Sequence, residues 1–80
     1  STFKRPEGYF AGKLIEESGC RGLAVGGARV SPKHAGFVVN EEKASAEDVT
    51  TLIDLVRMTV KDYSGVELEP EVRIIGEKKR

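Results

Sequence analysis

Between residues 46 and 64 the apolar side chains of Val49, Leu52, Ile53, Val56, Val60 and Tyr63 recur at three- and four-residue intervals, the spacing of one helical face. The polar residues around this stripe mark the ends of a helix. Ser45 stands where an N-cap belongs, and Asp48 follows three residues later as in a capping box. Glu47 and Asp48 suit the positive end of the helix dipole, Arg57 and Lys61 the negative end, and Gly65 is a stop. Met58 lies off the stripe and is expected to be a partly exposed packing residue. A second, shorter helix is predicted over residues 7–18, with Phe10, Ala11, Leu14 and Ile15 on one face and Gly19 at its end. Gly12 inside it costs about 1 kcal/mol relative to alanine. Close packing against a neighbour explains that glycine more simply than a backbone approaching a ligand.

Three segments have extended character. Residues 23–30 and 35–40 read as strands joined by a turn at Ser31-Pro32-Lys33-His34, where proline's fixed φ and missing N–H are well placed. Gly26-Gly27 interrupts the first of them and signals a bulge or a close backbone approach. Residues 70–75 form the last predicted strand, with Glu71, Arg73 and Ile75 on one face and Val72 and Ile74 on the other. The expected architecture is α+β: a small three-stranded sheet packed with two helices, in the order helix-strand-strand-helix-strand, as one domain over residues 1–80.

Composition narrows the class. A chain of 80 residues buries only about 60% of its unfolded surface, so its stability is expected to be marginal. Thirteen basic and thirteen acidic residues give zero net charge, which provides no long-range attraction to nucleic acid or an anionic membrane. The lone Cys20 cannot form an internal disulfide and suits a reducing compartment. No apolar run approaches the roughly 20 residues of a membrane span. The opening Ser1-Thr-Phe-Lys-Arg-Pro6 reads as a motif from within a longer protein, and the open face of the sheet is expected to cover something there.

Among chemistry-bearing patterns, several are missing. Gly26-Gly27 is far from a dinucleotide fingerprint, and one His and one Cys fourteen residues apart do not make a metal site. What remains are polar residues at element ends. Ser1 can donate or shuttle a proton; Glu71 can do acid-base work or stabilise charge; Arg73 on the same face would keep Glu71 ionised. Lys4, Arg5, Lys33 and His34 can grip an anionic group, for which arginine's planar fork is suited. Each also has an ordinary reading: a frayed terminus, a surface ion pair worth under about 1 kcal/mol, a polar turn residue. Spacing alone leaves both open.

Taken together, five stretches resemble one family. Ser1-Thr-Phe-Lys-Arg-Pro6, Ala11-Gly-Lys-Leu-Ile15, Gly26-Gly-Ala-Arg-Val-Ser31, Lys33-His-Ala-Gly-Phe37 with Asn40, and Leu68-Glu-Pro-Glu-Val-Arg-Ile-Ile-Gly76 resemble, in order, the C-terminal domain of the UDP-N-acetylenolpyruvoylglucosamine reductase (MurB) family. The resemblance implies a cytoplasmic flavoenzyme of peptidoglycan synthesis. In such an enzyme NADPH reduces FAD, and the flavin delivers hydride to the enolpyruvyl group of UDP-N-acetylglucosamine enolpyruvate, giving UDP-N-acetylmuramate. It implies Ser1 as the proton donor and Glu71 as the acidic partner near the substrate carboxylate. It implies Arg5 and His34, at positions that are asparagine and glutamine in other members, as contacts to the UDP-sugar, and Arg73 as a residue that orients Glu71 or reaches that carboxylate. FAD is held in the family by two preceding domains absent here, so this chain alone is expected to bind no flavin and to be inactive. The competing reading is a small α+β nucleic-acid-binding or interaction module without catalysis. RNA recognition of that kind needs aromatic residues across a sheet face, and only Phe37 falls in a predicted strand.

Overall fold

The computed structural model describes residues 2–71. Five elements follow in the order α1 (Ala11–Glu17), β1 (Ala24–Val25), β2 (Ala28–Val30), β3 (Val38–Asn40) and α2 (Ala46–Ser64). The strands form one antiparallel sheet in the order β1-β2-β3. Ala24 pairs with Arg29 across the first hairpin, and Arg29 with Val39 across the second. The α2 helix packs across all three strands and against α1. The core between them holds Ile15, Val30, Leu52, Val56, Val60 and Leu68. The class is therefore the α+β sheet with two helices that the periodicity predicts.

The order of elements differs from the expected one because the third strand comes from within the segment read as the first. Residues 23–30 do not form one strand. They fold back at Gly26-Gly27 into a two-residue hairpin, with Val25 opposite Ala28. Only Gly26 of the pair has positive φ, +55°, the pattern of a type II′ turn. The turn is closed from outside: a Cβ on Gly26 would run into the Asp48 carboxylate, and one on Gly27 into the backbone at Glu42. The strand expected at 70–75 lies outside the described residues beyond Glu71. What is described of it is an antiparallel bridge between Pro70 and Phe3.

Two other boundaries move for local reasons. The first helix starts at Ala11, not at residue 7, because Pro6 to Tyr9 make a β-turn in which the Tyr9 N–H donates to the Pro6 carbonyl at 3.1 Å. Gly8 occupies its third position with φ +81°, which a type II turn requires. Phe10 is consequently the N-cap residue and is 59% exposed, not part of the buried face. Likewise β3 starts at Val38: the Phe37 N–H turns to the His34 carbonyl at 2.9 Å, Ala35 is buried and Gly36 packs beneath α1.

The long helix is capped as expected. Ser45 Oγ accepts the Asp48 N–H at 2.9 Å, Asp48 Oδ2 accepts the Ser45 N–H at 3.1 Å, and Gly65 ends the helix in the left-handed region. Leu52, Ile53, Val56 and Val60 are buried, but Tyr63 in the last turn is 58% exposed. Met58 is exposed.

Candidate functional site

The N-terminal segment is threaded between two others. Its Lys4 N–H donates to the Glu69 carbonyl at 2.8 Å, and the Glu71 N–H donates back to the Thr2 carbonyl at 2.8 Å, on either side of the Phe3–Pro70 bridge. On the other side the Thr2 N–H donates to the Gly36 carbonyl at 3.0 Å, and Thr2 Oγ1 accepts the Val38 N–H at 2.8 Å. Phe3, 2% exposed, anchors this arrangement in the core. The two polar clusters at the ends of the described chain are thus one place in the fold. An exposed ion pair between Lys4 Nζ and Glu69 Oε1, 3.5 Å apart, flanks it.

Of the predicted site residues, Arg5, His34 and Glu71 are among the described residues. Glu71 is exposed, with its backbone bonded to that of Thr2, the residue next to Ser1. Ser1 and Arg73 lie outside the described residues. His34 is exposed on the 31–37 loop, whose Gly36 is bonded to Thr2. Ser31 Oγ accepts the N–H groups of Lys33 and His34 at 3.2 and 3.1 Å, and the His34 ring meets Phe37 edge-on at 6.1 Å between centroids. Arg5 is held over the Phe10 ring, 4.2 Å from its centroid, while its Nε donates to the Tyr9 carbonyl at 3.4 Å. Arg5 and His34 each therefore have an aromatic partner that the sequence pattern did not assign to them. The Arg5–Phe10 pair was hidden because helical periodicity placed Phe10 in the core.

Gly12 joins α1 to the site. A Cβ there would sit 3.3 Å from the Gly36 nitrogen, so the missing side chain lets the helix lie directly on the loop that carries His34 and receives Thr2. The contact is packing against a neighbour. The role of Thr2 itself was also not legible, since a threonine in an extended motif carries no signal until its partners are known.

Groups of three or more His, Cys, Asp or Glu side chains placed to hold a metal ion do not occur among the described residues. Nor does the double-glycine turn offer a phosphate cradle. The double-glycine turn at 26–27 is occupied by the Asp48 carboxylate and the Glu42 carbonyl, which would repel a phosphate. Among the described residues no helix is long and apolar enough to cross a membrane. Phe37 immediately precedes β3 and does not lie within it, so the described strands carry no aromatic platform for bases.

Fold and edge together define a small α+β domain whose N-terminal segment pairs with residues 69–71. Residues 1–75 match the family model described as UDP-N-acetylenolpyruvoylglucosamine reductase, C-terminal domain, and the chain belongs to that family. It is 68% identical over 78 residues to the UDP-N-acetylenolpyruvoylglucosamine reductase of Lachnoclostridium phytofermentans, an overlap that covers 98% of this chain and 25% of that protein. The protein of the same name from Clostridium novyi is 62% identical over 77 residues, covering 96% of this chain and 25% of its own length. That from Geobacillus kaustophilus is 60% identical over 77 residues, with the same two shares, 96% and 25%. The chain spans about a quarter of the length of these relatives.

Proposed function

We propose that the chain is the substrate-closing domain of a UDP-N-acetylmuramate dehydrogenase, acting in peptidoglycan precursor synthesis in the cytoplasm, and that its part in the reaction is proton delivery and charge stabilisation. The observation that carries the reading is the pairing of the Ser1-to-Pro6 motif with residues 69–71, within a chain that belongs to the family throughout. The flavin and NADPH bound by the rest of such an enzyme supply the reducing equivalents. They are no part of the chemistry done by the residues described here.

Reduction of an enolpyruvyl double bond adds hydride to the terminal carbon and leaves carbanion character beside the carboxylate. That charge needs stabilisation and then a proton. Ser1 is assigned the proton and Glu71 the acidic partner at the same carbon. The Thr2–Glu71 backbone bond supports this by tying the residue after Ser1 to the residue that bears the carboxylate. Arg5 and His34 are assigned to the UDP-sugar, where the planar guanidinium held over Phe10 suits bidentate phosphate contacts. Arg73 is assigned to orienting Glu71 or meeting the substrate carboxylate.

The test separates the two halves of the cycle in the full-length protein. Ser1→Ala is expected to leave flavin reduction by NADPH unchanged and to slow flavin reoxidation by the enolpyruvyl substrate by about 10² or more, the range for a positioned proton donor. Glu71→Gln is expected to act on the same half-reaction. Stopped-flow flavin absorbance resolves both phases. Reoxidation at the wild-type rate in Ser1→Ala would remove Ser1 from the mechanism.

A further inference from the structure

We propose that Thr2 is a positioning residue that sets the register of the N-terminal segment, and so of the backbone bearing Ser1, against the segment bearing Glu71. The proposal rests on the assignment of Ser1 and Glu71 made above.

Three polar atoms of Thr2 are committed to three other points of the fold. Its N–H donates to the Gly36 carbonyl at 3.0 Å, and its carbonyl accepts the Glu71 N–H at 2.8 Å. Its hydroxyl oxygen accepts the Val38 N–H at 2.8 Å. The first two bonds are backbone to backbone and do not depend on which side chain stands at position 2. The third does. The sheet order leaves β3 at an edge, and Val38 is the first residue of that strand. Its N–H is taken by a side chain and not by a neighbouring strand. Thr2 thus attaches the edge of the sheet on one side and the 69–71 segment on the other.

The buried Phe3 ring fixes which face of the segment enters the core. The Thr2 hydroxyl adds a bond that depends on the side chain and holds the segment against the sheet edge. Small misplacements of a reacting group are costly to rate even where stability changes little, so loss of this bond is expected to appear in the proton-delivery step and not in the electron-supplying step.

The experiment is a double-mutant cycle in the full-length flavoprotein. Thr2→Val removes the acceptor while keeping the shape of the side chain, Thr2→Ser keeps the hydroxyl, and each is made with Ser1 and with Ser1→Ala. Thr2→Val is expected to slow flavin reoxidation by the enolpyruvyl substrate about tenfold, with reduction by NADPH unchanged. Thr2→Ser is expected to restore most of the rate. In the Ser1→Ala background Thr2→Val is expected to add nothing further, the non-additivity of residues that act as a unit. An independent readout is hydrogen exchange at the Val38 amide, expected to quicken in Thr2→Val and not in Thr2→Ser. Thr2→Ala gives the same test if valine is not accommodated. An unchanged reoxidation rate in Thr2→Val, or equal slowing in both backgrounds, overturns the positioning role. A wild-type rate in Ser1→Ala alone overturns the assignment of Ser1, and the cycle reports that separately.

Discussion

Phe10 is a large apolar side chain left mostly in water, and Arg5 explains its place. The guanidinium lies 4.2 Å above the ring centroid, while the helix that the ring was expected to anchor begins one residue later. An exposed cation–π contact contributes about 0.5–1 kcal/mol. Phe10→Ala is accordingly expected to change the unfolding free energy by less than about 1 kcal/mol. If Arg5 grips the sugar nucleotide as proposed, the same substitution releases the guanidinium from its fixed plane. The KM for that substrate in the full-length protein then rises by roughly two- to fivefold, the equivalent of that energy. Thermal unfolding and steady-state kinetics measure the two effects separately, and an unchanged KM would dissociate Phe10 from substrate binding.

At the scale of elements, two glycine contacts hold the layers together and fail differently. Gly27 has no room for a Cβ because the backbone of residues 42–44 closes over it. Gly27→Ala must open the first hairpin away from the N-terminus of α2 and is expected to destabilise the fold by about 2 kcal/mol or more. Gly12 is the milder case. Alanine gains about 1 kcal/mol of helix propensity but must displace the Gly36 backbone from 3.3 Å. Overpacking costs about 1–3 kcal/mol, so a net loss near 1 kcal/mol is expected in chemical denaturation. Ser45→Ala removes one half of a closed capping box and is expected to cost about 1 kcal/mol. A stabilised Gly12→Ala variant would mean that the 34–37 loop yields without cost.

At the scale of the described fold, residues 2–4 pair with residues 69–71. Phe3 is buried there, and Arg57 Nε holds the chain after α2 by donating to the Leu68 carbonyl at 3.0 Å. A domain of 80 residues has about 4–12 kcal/mol of stability to lose. Phe3→Ala is therefore expected to cost about 3–5 kcal/mol and to leave little folded population at 37 °C by circular dichroism. One surface pair gives a pH signature. The hydrogen bond from Lys61 Nζ, 2.8 Å away, and then its charge hold the Glu67 carboxyl below the ordinary glutamate value. A lowered folded pKa stabilises the native state above the unfolded value, and that contribution disappears as pH falls through the folded one. Both side chains are well exposed, so the effect on stability is small and salt-sensitive. Lys61→Met is expected to return the Glu67 titration, followed by carboxyl NMR shifts, upward toward the ordinary range.

Local signals were sufficient wherever one segment decides its own structure. The α2 helix, its capping box and its glycine stop are all consequences of residues within a few positions of each other, as are the turn chemistry at Ser31 and the α+β class. The family membership was legible as ordered motifs; the roles proposed for Ser1 and Glu71 were read from the same motifs. Tertiary structure decided what depends on contacts across the chain. Gly26-Gly27 reads as a bulge or a close backbone approach within one strand; only the pairing of Val25 with Ala28 shows a hairpin, over which Asp48 and the 42–44 backbone close. Phe10 and Tyr63 obey helical spacing, yet one is the N-cap of α1 and the other lies in the last turn of α2, and both are exposed. Thr2 could not be singled out at all, because its bonds run to Gly36, Val38 and Glu71, as many as 69 positions away. Periodicity carries information about which face of an element is buried; it carries none about which distant backbone group will stand opposite a given hydroxyl.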